Sequence, residues 1–206
     1  MKRGVLIIIS GPAGSGKGTV TTRLLEKDDF AYSVSATTRA PRPGEIDGVN
    51  YHFITKEEFL SRISQGGMLE YNEYCGNYYG TPRHEAEQML QSGKNLILEI
   101  DVNGGMQVKR QLPEAVLIML LPPSYAEQEL RLRGRGTETE DKILARLEQA
   151  KAELQQLPLY DYVVYNYDGK TEQCAEDIMA IVRAERCSVR HNPTAAADFF
   201  QGEGNR

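Results

Sequence analysis

Three short apolar runs mark the chain: VLIIIS at residues 5–10, NLILEID at 95–101 and AVLIMLL at 115–121. None alternates apolar with polar positions, so each predicts a strand covered on both faces, as in a parallel sheet between helical layers. YDYVVYN at 160–166 is a fourth candidate. Helical patterns lie between and after these runs: one from Gly16 to about Lys27, one from Pro82 to about Ser92, and one opening at Ser124, with Glu127 completing a capping-box pattern. Alternating strands and helices predict an α/β fold with a parallel sheet core and helices on both faces.

From about Ser33 to Pro82 the rhythm changes. YSVSATTR, VNYHFIT and MLEYNEY are strand-like and rich in tyrosine, and Thr55 with Glu58 predicts one capped helix. This stretch predicts a small mixed α/β lobe, about residues 34–82, inserted into a core of about 1–33 and 83–187. RGRGTETED, ending at Asp141, is polar and glycine-containing between two helical patterns, which predicts a mobile loop. From about Ser188 no periodicity is evident, and residues 188–206 are expected to fray as a flexible tail.

Composition narrows the function classes. A chain of 206 residues with 40% apolar and 26% charged residues suits one folded domain, alone or with a small inserted lobe. A net charge of -5 disfavours a general nucleic-acid binder, which needs a basic excess to neutralise phosphates. No apolar stretch reaches the roughly 18 to 20 residues that span a bilayer, so no membrane association is expected. The N-terminal apolar run is too short for a signal peptide, and its glycines continue into a motif. Cys75, Cys174 and Cys187 are odd in number and widely spaced, suggesting neither a disulfide framework nor a zinc site and fitting a reducing cytoplasm.

That motif is GPAGSGKGT: Gly11, Pro12, Ala13, Gly14, Ser15, Gly16, Lys17, Gly18 and Thr19. A strand, then GxxGxGK, then a helix is the setting in which backbone N–H groups and a helix N-terminus cradle phosphates, with Lys17 as a point charge. A plain glycine turn is the competing reading. The usual pattern follows the lysine with Ser or Thr, whose hydroxyl ligands Mg²⁺. Gly18 stands there instead, so Mg²⁺ arriving with ATP is expected to be held through water, with Thr19 on phosphate and no dedicated protein metal site. The loop alone implies a nucleoside triphosphate; a kinase needs a second pocket.

SATTRAPRPGE, residues 35–45, sets Arg39 and Arg42 three apart in a proline-stiffened segment. Two guanidinium forks suit a dianionic phosphate, although alone they read equally well as solvated charges. Tyr51 in GVNYHF, Glu70 in MLEYNEY, Tyr79 and Thr81 in GNYYGTP, and Asp101 in LEID follow. With the loop and RGRGTE, these motifs stand in the order of the guanylate kinase family, which the chain resembles over about residues 4–187. The resemblance implies transfer of the terminal phosphoryl group of ATP to GMP. It also implies that Arg39, Arg42, Tyr51 and Tyr79 hold the GMP phosphate while Ser35, Glu70, Thr81 and Asp101 read guanine. The chemistry agrees, because guanine presents a ring N–H and an amino group side by side, and a carboxylate can accept from both.

The segment ELRLRGRGTETEDKILARLEQ carries Arg131, Arg133, Arg135 and Arg146 among acidic residues. Arg133 reads as an ordinary surface ion pair. The resemblance implies a lid over about residues 131–146 that brings Arg131, Arg135 and Arg146 to the ATP phosphates, with Lys17, Arg135 and Arg146 catalytic. Asn166 matches a residue near adenine, yet its neighbours, usually acidic in the family, are here Tyr165 and Tyr167. A GMP phosphate oxygen is already anionic, so no general base is required, and His52, His84 and His191 need no catalytic role. A guanylate-kinase-like scaffold that binds peptides, or a kinase for another nucleotide or sugar phosphate, are the rival readings. The intact phosphate loop opposes the first and the guanine-reading set the second. A homo-oligomer is compatible with the sequence, which does not decide it.

Overall fold

The computed structural model describes residues 2–134, 136 and 139–201. In chain order the strands are β1 Leu6–Ser10, β2 Phe30–Tyr32, β3 Ala36–Thr37, β4 His52–Phe53, β5 Met68–Tyr74, β6 Asn77–Pro82, β7 Asn95–Glu99, β8 Val116–Leu121 and β9 Tyr162–Tyr165. The helices are α1 Lys17–Leu25, α2 Lys56–Ser64, α3 Arg83–Gln91, α4 Val102–Gln111, α5 Tyr125–Gly134, α6 Glu140–Leu154, α7 Thr171–Cys187 and α8 Ala195–Gln201. Five strands form a parallel sheet in the order β2-β7-β1-β8-β9, and four form a mixed sheet in the order β4-β3-β6-β5.

The apolar runs become central strands because both of their faces are covered. Along β1 the side chains alternate between two cores. Ile7 and Ile9 meet Val20 and Leu24 of α1 and Ile178 of α7, whereas Leu6 and Ile8 meet Leu90 of α3 and Val108 of α4. Each fully buried Leu or Ile contributes about 1.5–3 kcal/mol relative to exposure, so β1, β7 and β8 hold the sheet in one register. A third cluster, Ala36, Phe59 and Met68, binds α2 to the mixed sheet.

Several elements differ from the sequence reading. YSVSATTR is divided: Phe30–Tyr32 joins the parallel sheet and Ala36–Thr37 the mixed one. NLILEID stops as a strand at Glu99, because Asp101 turns the chain into α4, its Oδ1 accepting from the Gly104 N–H at 2.8 Å. Only half of each predicted capping box forms. Thr55 and Ser124 accept from the N–H groups of Glu58 and Glu127, each at 3.1 Å, while those two glutamate side chains pair with Arg62 and Arg131 one turn on. Beyond Ser188 the described residues, up to 201, carry two further helical elements. A 3₁₀ turn, Val189–His191, is fastened by Arg190 to Glu185 and Asp161 before α8 begins. Among the described residues no helix is long and apolar enough to cross a membrane.

Candidate active site

The glycine loop leaves β1 and enters α1 in a shape that favours glycine at three points, Gly11, Gly14 and Gly16. Gly11 has φ 152°, and a Cβ there would stand 2.1 Å from the Leu120 carbonyl oxygen. Gly16 has φ 87°, and its Cβ would stand 2.3 Å from Asn166 Nδ2. Two side chains tie the loop from outside: Gln128 Nε2 donates to the Ala13 carbonyl at 3.0 Å, and Asn166 Nδ2 to that of Ser15 at 2.9 Å. α1 begins at Lys17, and no side chain caps its first turn. Lys17 Nζ donates to the Gly11 and Pro12 carbonyls at 2.6 and 3.3 Å, folded back over the loop. Gly18 and Thr19 are exposed on the first turn. A Cβ on Gly18 would meet only the Glu99 carboxylate, at 3.9 and 4.0 Å.

Across the cleft, a pocket of about 310 Å³ lies between the two sheets, with Ser35, Tyr51, Glu70, Asn72, Tyr79 and Asp101 in its wall. Glu70 is 6% exposed, and its Oε1 accepts from the Thr81 hydroxyl at 2.7 Å. Burial pushes its pKa up to about 6; the Thr81 bond opposes this rise and nearby Asp101 adds to it. Glu70 therefore has one oxygen engaged and the other able to accept from a ligand. Asp101 has Oδ1 committed to capping α4 and Oδ2 near Asn72 Nδ2, at 3.4 Å.

Arg39, Tyr51 and Tyr79 come together at one end of this pocket. The Arg39 guanidinium lies 5.4 Å from the Tyr51 ring centroid, and the Tyr51 and Tyr79 rings meet edge to face at 6.1 Å. Arg39 is also bidentate to Glu45, both bonds at 2.9 Å, and that fork, followed by the Arg42 backbone N–H, holds the Glu45 carboxyl at about 2. Arg42 itself is exposed.

On the other side of the loop, Arg131 Nε donates to Glu127 at 3.0 Å and Nη2 to the Asn166 carbonyl at 2.9 Å. Arg133 is engaged by Glu129 and Glu140, the surface pairing expected of it. Arg146 is exposed on α6, whose Ile143 and Leu147 pack on Leu132 and Ala13 beside the loop. Arg135 lies outside the described residues.

A glycine loop at the end of β1 thus lies beside a pocket lined by a buried carboxylate, with Glu99 bordering both. Residues 3–185 match the family model described as guanylate kinase. The chain belongs to the guanylate kinase family. It is 51% identical over 188 residues to a guanylate kinase of Clostridium perfringens (strain SM101 / Type A), covering 91% of this chain and 86% of that one. To a guanylate kinase of Desulfitobacterium hafniense (strain Y51) it is 47% identical over 200 residues, 97% of each. The crystal structure of guanylate kinase from Anaplasma phagocytophilum superposes with a TM-score of 0.70 at 36% identity, over 93% of this chain and 90% of that one.

Within this guanylate kinase fold, four further groups stand at the site to which the sequence reading gave no role. Glu99 ends β7 opposite Gly18, and Glu45 neutralises Arg39. Glu153 of α6 has Oε2 buried without a hydrogen-bond partner, and Tyr160 has its hydroxyl likewise unpaired. Burial raises the Glu153 pKa, while its bond from Gln149 and the Lys17 charge lower it. Glu45 stands in SATTRAPRPGE and Glu99 in LEID, so a motif marks each of these two, whereas none marks Glu153 or Tyr160.

Proposed function

We infer that the phosphate loop is the donor site and the Glu70 pocket the acceptor site of one phosphoryl transfer. The chain, as a guanylate kinase, moves the terminal phosphoryl group of ATP to GMP, giving ADP and GDP. One observation carries the site assignment: a carboxylate that is 6% exposed, fixed by Thr81 and given no cationic partner, lines a base-sized pocket facing the loop. A buried carboxylate of this kind is costly unless it meets donors. Guanine's adjacent N–H and amino groups supply two, and adenine would set a ring acceptor against it.

In this reading Glu70 accepts from the guanine edge, and Ser35, Thr81 and Asp101 complete the reading of the base. Arg39, Arg42, Tyr51 and Tyr79 take the GMP phosphate, which displaces Glu45 from the Arg39 fork. The loop amides of residues 11–19 and Lys17 take the ATP phosphates, and Lys17 swings from the Gly11 carbonyl to the transferring group. Arg131, Arg135 and Arg146 offset charge as the lid closes over the donor, and closure excludes water that would divert ATP to hydrolysis. The Asn166 amide orientation is set by its bond to Ser15, leaving the buried, unpaired Oδ1 as an acceptor suited to the adenine amino group.

Mg²⁺ accompanies ATP in this scheme. Among the described residues no group of three His, Cys, Asp or Glu could hold a metal, and Gly18 lacks a hydroxyl. A mostly hydrated ion on the phosphates, approached by Glu99, fits this donor set. It would offset negative charge on the transferring phosphoryl group. Cys75, Cys174 and Cys187 are all free thiols, which suits a cytoplasmic setting.

Lys17→Met tests the two-site reading. Turnover is expected to fall at least about 10²-fold, because a charge acting in the transition state is lost. GMP affinity by calorimetry should stay near wild type. Parallel loss of GMP binding would contradict separate donor and acceptor pockets.

A further inference from the structure

Beside the phosphate loop lies a cavity of about 400 Å³ with Gly14, Gly16, Thr19, Arg131, Asn166 and Tyr167 in its wall. Two of these offer flat surfaces. Arg131 is immobilised at both edges of its guanidinium, by Glu127 and by the Asn166 carbonyl. Tyr167 is 54% exposed, its ring 6.2 Å from that of Tyr165 and tilted by 42°. Its backbone is fixed as well, since the Lys170 N–H donates to the Tyr167 carbonyl at 3.0 Å across a turn in which Gly169 has φ 65°. A rigidly mounted aromatic left half open at a cavity mouth forgoes burial that a planar ligand would supply.

We propose that Tyr167 determines donor affinity in this chain, its ring and the Arg131 guanidinium being the two surfaces between which the donor base stacks. The proposal rests on the donor-site reading above and extends it to a residue that the resemblance does not assign, since an acidic side chain usually stands there. Asn166 meets the edge of the base, and Tyr167 its face. Stacking of a base on an aromatic ring is tolerant of base identity but grows with ring area.

Steady-state kinetics at saturating GMP separate the possibilities. Tyr167→Ala is expected to raise the KM for ATP about 5- to 30-fold, with the loss in KM rather than kcat and with the KM for GMP unmoved. Tyr167→Phe should restore the KM for ATP to within about 2-fold, because the ring rather than the hydroxyl acts. As competitive inhibitors against ATP, ADP should weaken more than UDP in Tyr167→Ala, the purine covering more of the ring. An unchanged KM for ATP in Tyr167→Ala, a Phe variant as impaired as Ala, or equal weakening of ADP and UDP would each overturn the stacking role. Lys17→Met run in parallel tells the two failures apart. If it abolishes transfer while Tyr167→Ala is silent, the donor site stands and stacking falls; if transfer survives Lys17→Met, the donor-site reading itself falls.

Discussion

At Glu70, burial raises the carboxyl pKa from 4.5 to about 6. The folded chain then holds this proton more tightly than the unfolded one. The stability so conferred is full below about pH 4.5 and is lost as pH rises through about 6, a difference of roughly 2 kcal/mol. Glu70→Gln keeps an acceptor for Thr81 and removes the titration. It should therefore be more stable than the wild type at pH 8, by roughly 1–2 kcal/mol in urea melts, and hold no such advantage at pH 4. A variant no more stable at pH 8 would contradict a strained carboxylate. The same ionisation acts on catalysis with the opposite sense. As pH falls below about 6, Glu70 takes up its proton and presents a donor to guanine's donors, so kcat/KM for GMP should fall about tenfold per unit. A flat profile to pH 5 would remove Glu70 from the base-reading role.

Within the phosphate loop, two neighbouring glycines should respond oppositely. At Gly16 a Cβ meets Asn166 Nδ2 at 2.3 Å with φ at 87°, so Gly16→Ala combines left-handed strain with displacement of the residue that ties the loop. At least a 10²-fold fall in kcat/KM for ATP is expected. Gly18→Ser meets nothing closer than Glu99 at 3.9 Å, so only a few-fold change and a modest shift in Mg²⁺ dependence are expected in a metal titration. A drop beyond about 10²-fold in a folded Gly18→Ser variant would mean that phosphate approaches that backbone closely. The glycines also explain what sequence patterning reveals and conceals. β1, β7 and β8 are legible because strands buried on both faces must be apolar throughout. α4 is hidden, since VNGGMQVKRQ places two poor helix formers in one helix, each worth about 1 kcal/mol against Ala. The structure supplies the reason: a Cβ on Gly105 would stand 3.3 Å from Ile8 Cγ2, and one on Gly104 3.1 Å from Glu70 Oε2. β6 is absent from the strand-like pieces because GNYYGTP carries two glycines and a proline, yet Gly80 is where β5 passes too closely for a side chain. Lys17 is legible from its own loop, whereas Arg39 and Glu70 are legible only through the set of motifs standing in family order. Glu99 and Glu153 are not, because their relation to the site exists only once distant segments meet.

Across the whole molecule, the glycine loop follows β1 of the parallel sheet, whereas the Glu70 pocket lies between that sheet and the mixed one. Arg39 holds Glu45 and Lys17 rests on loop carbonyls, so in the proposed scheme phosphate binding would rearrange both sides. Closure of the mixed sheet and the 131–146 segment on the core should reduce the radius of gyration in small-angle scattering when GMP and a nonhydrolysable ATP analogue are both bound. An unchanged profile at saturating ligand would exclude a large closure. The central claim, that a buried carboxylate selects GMP as acceptor of the ATP phosphoryl group, is tested most directly by ADP release with GMP, AMP, CMP and UMP in the wild type and in Glu70→Gln. The wild type should strongly prefer GMP. The variant should lose about 30- to 1,000-fold in kcat/KM for GMP, equivalent to roughly 2–4 kcal/mol, and much less for AMP, so that discrimination narrows. Wild-type GMP efficiency in the folded variant, or equal use of AMP and GMP by the wild type, would contradict the account.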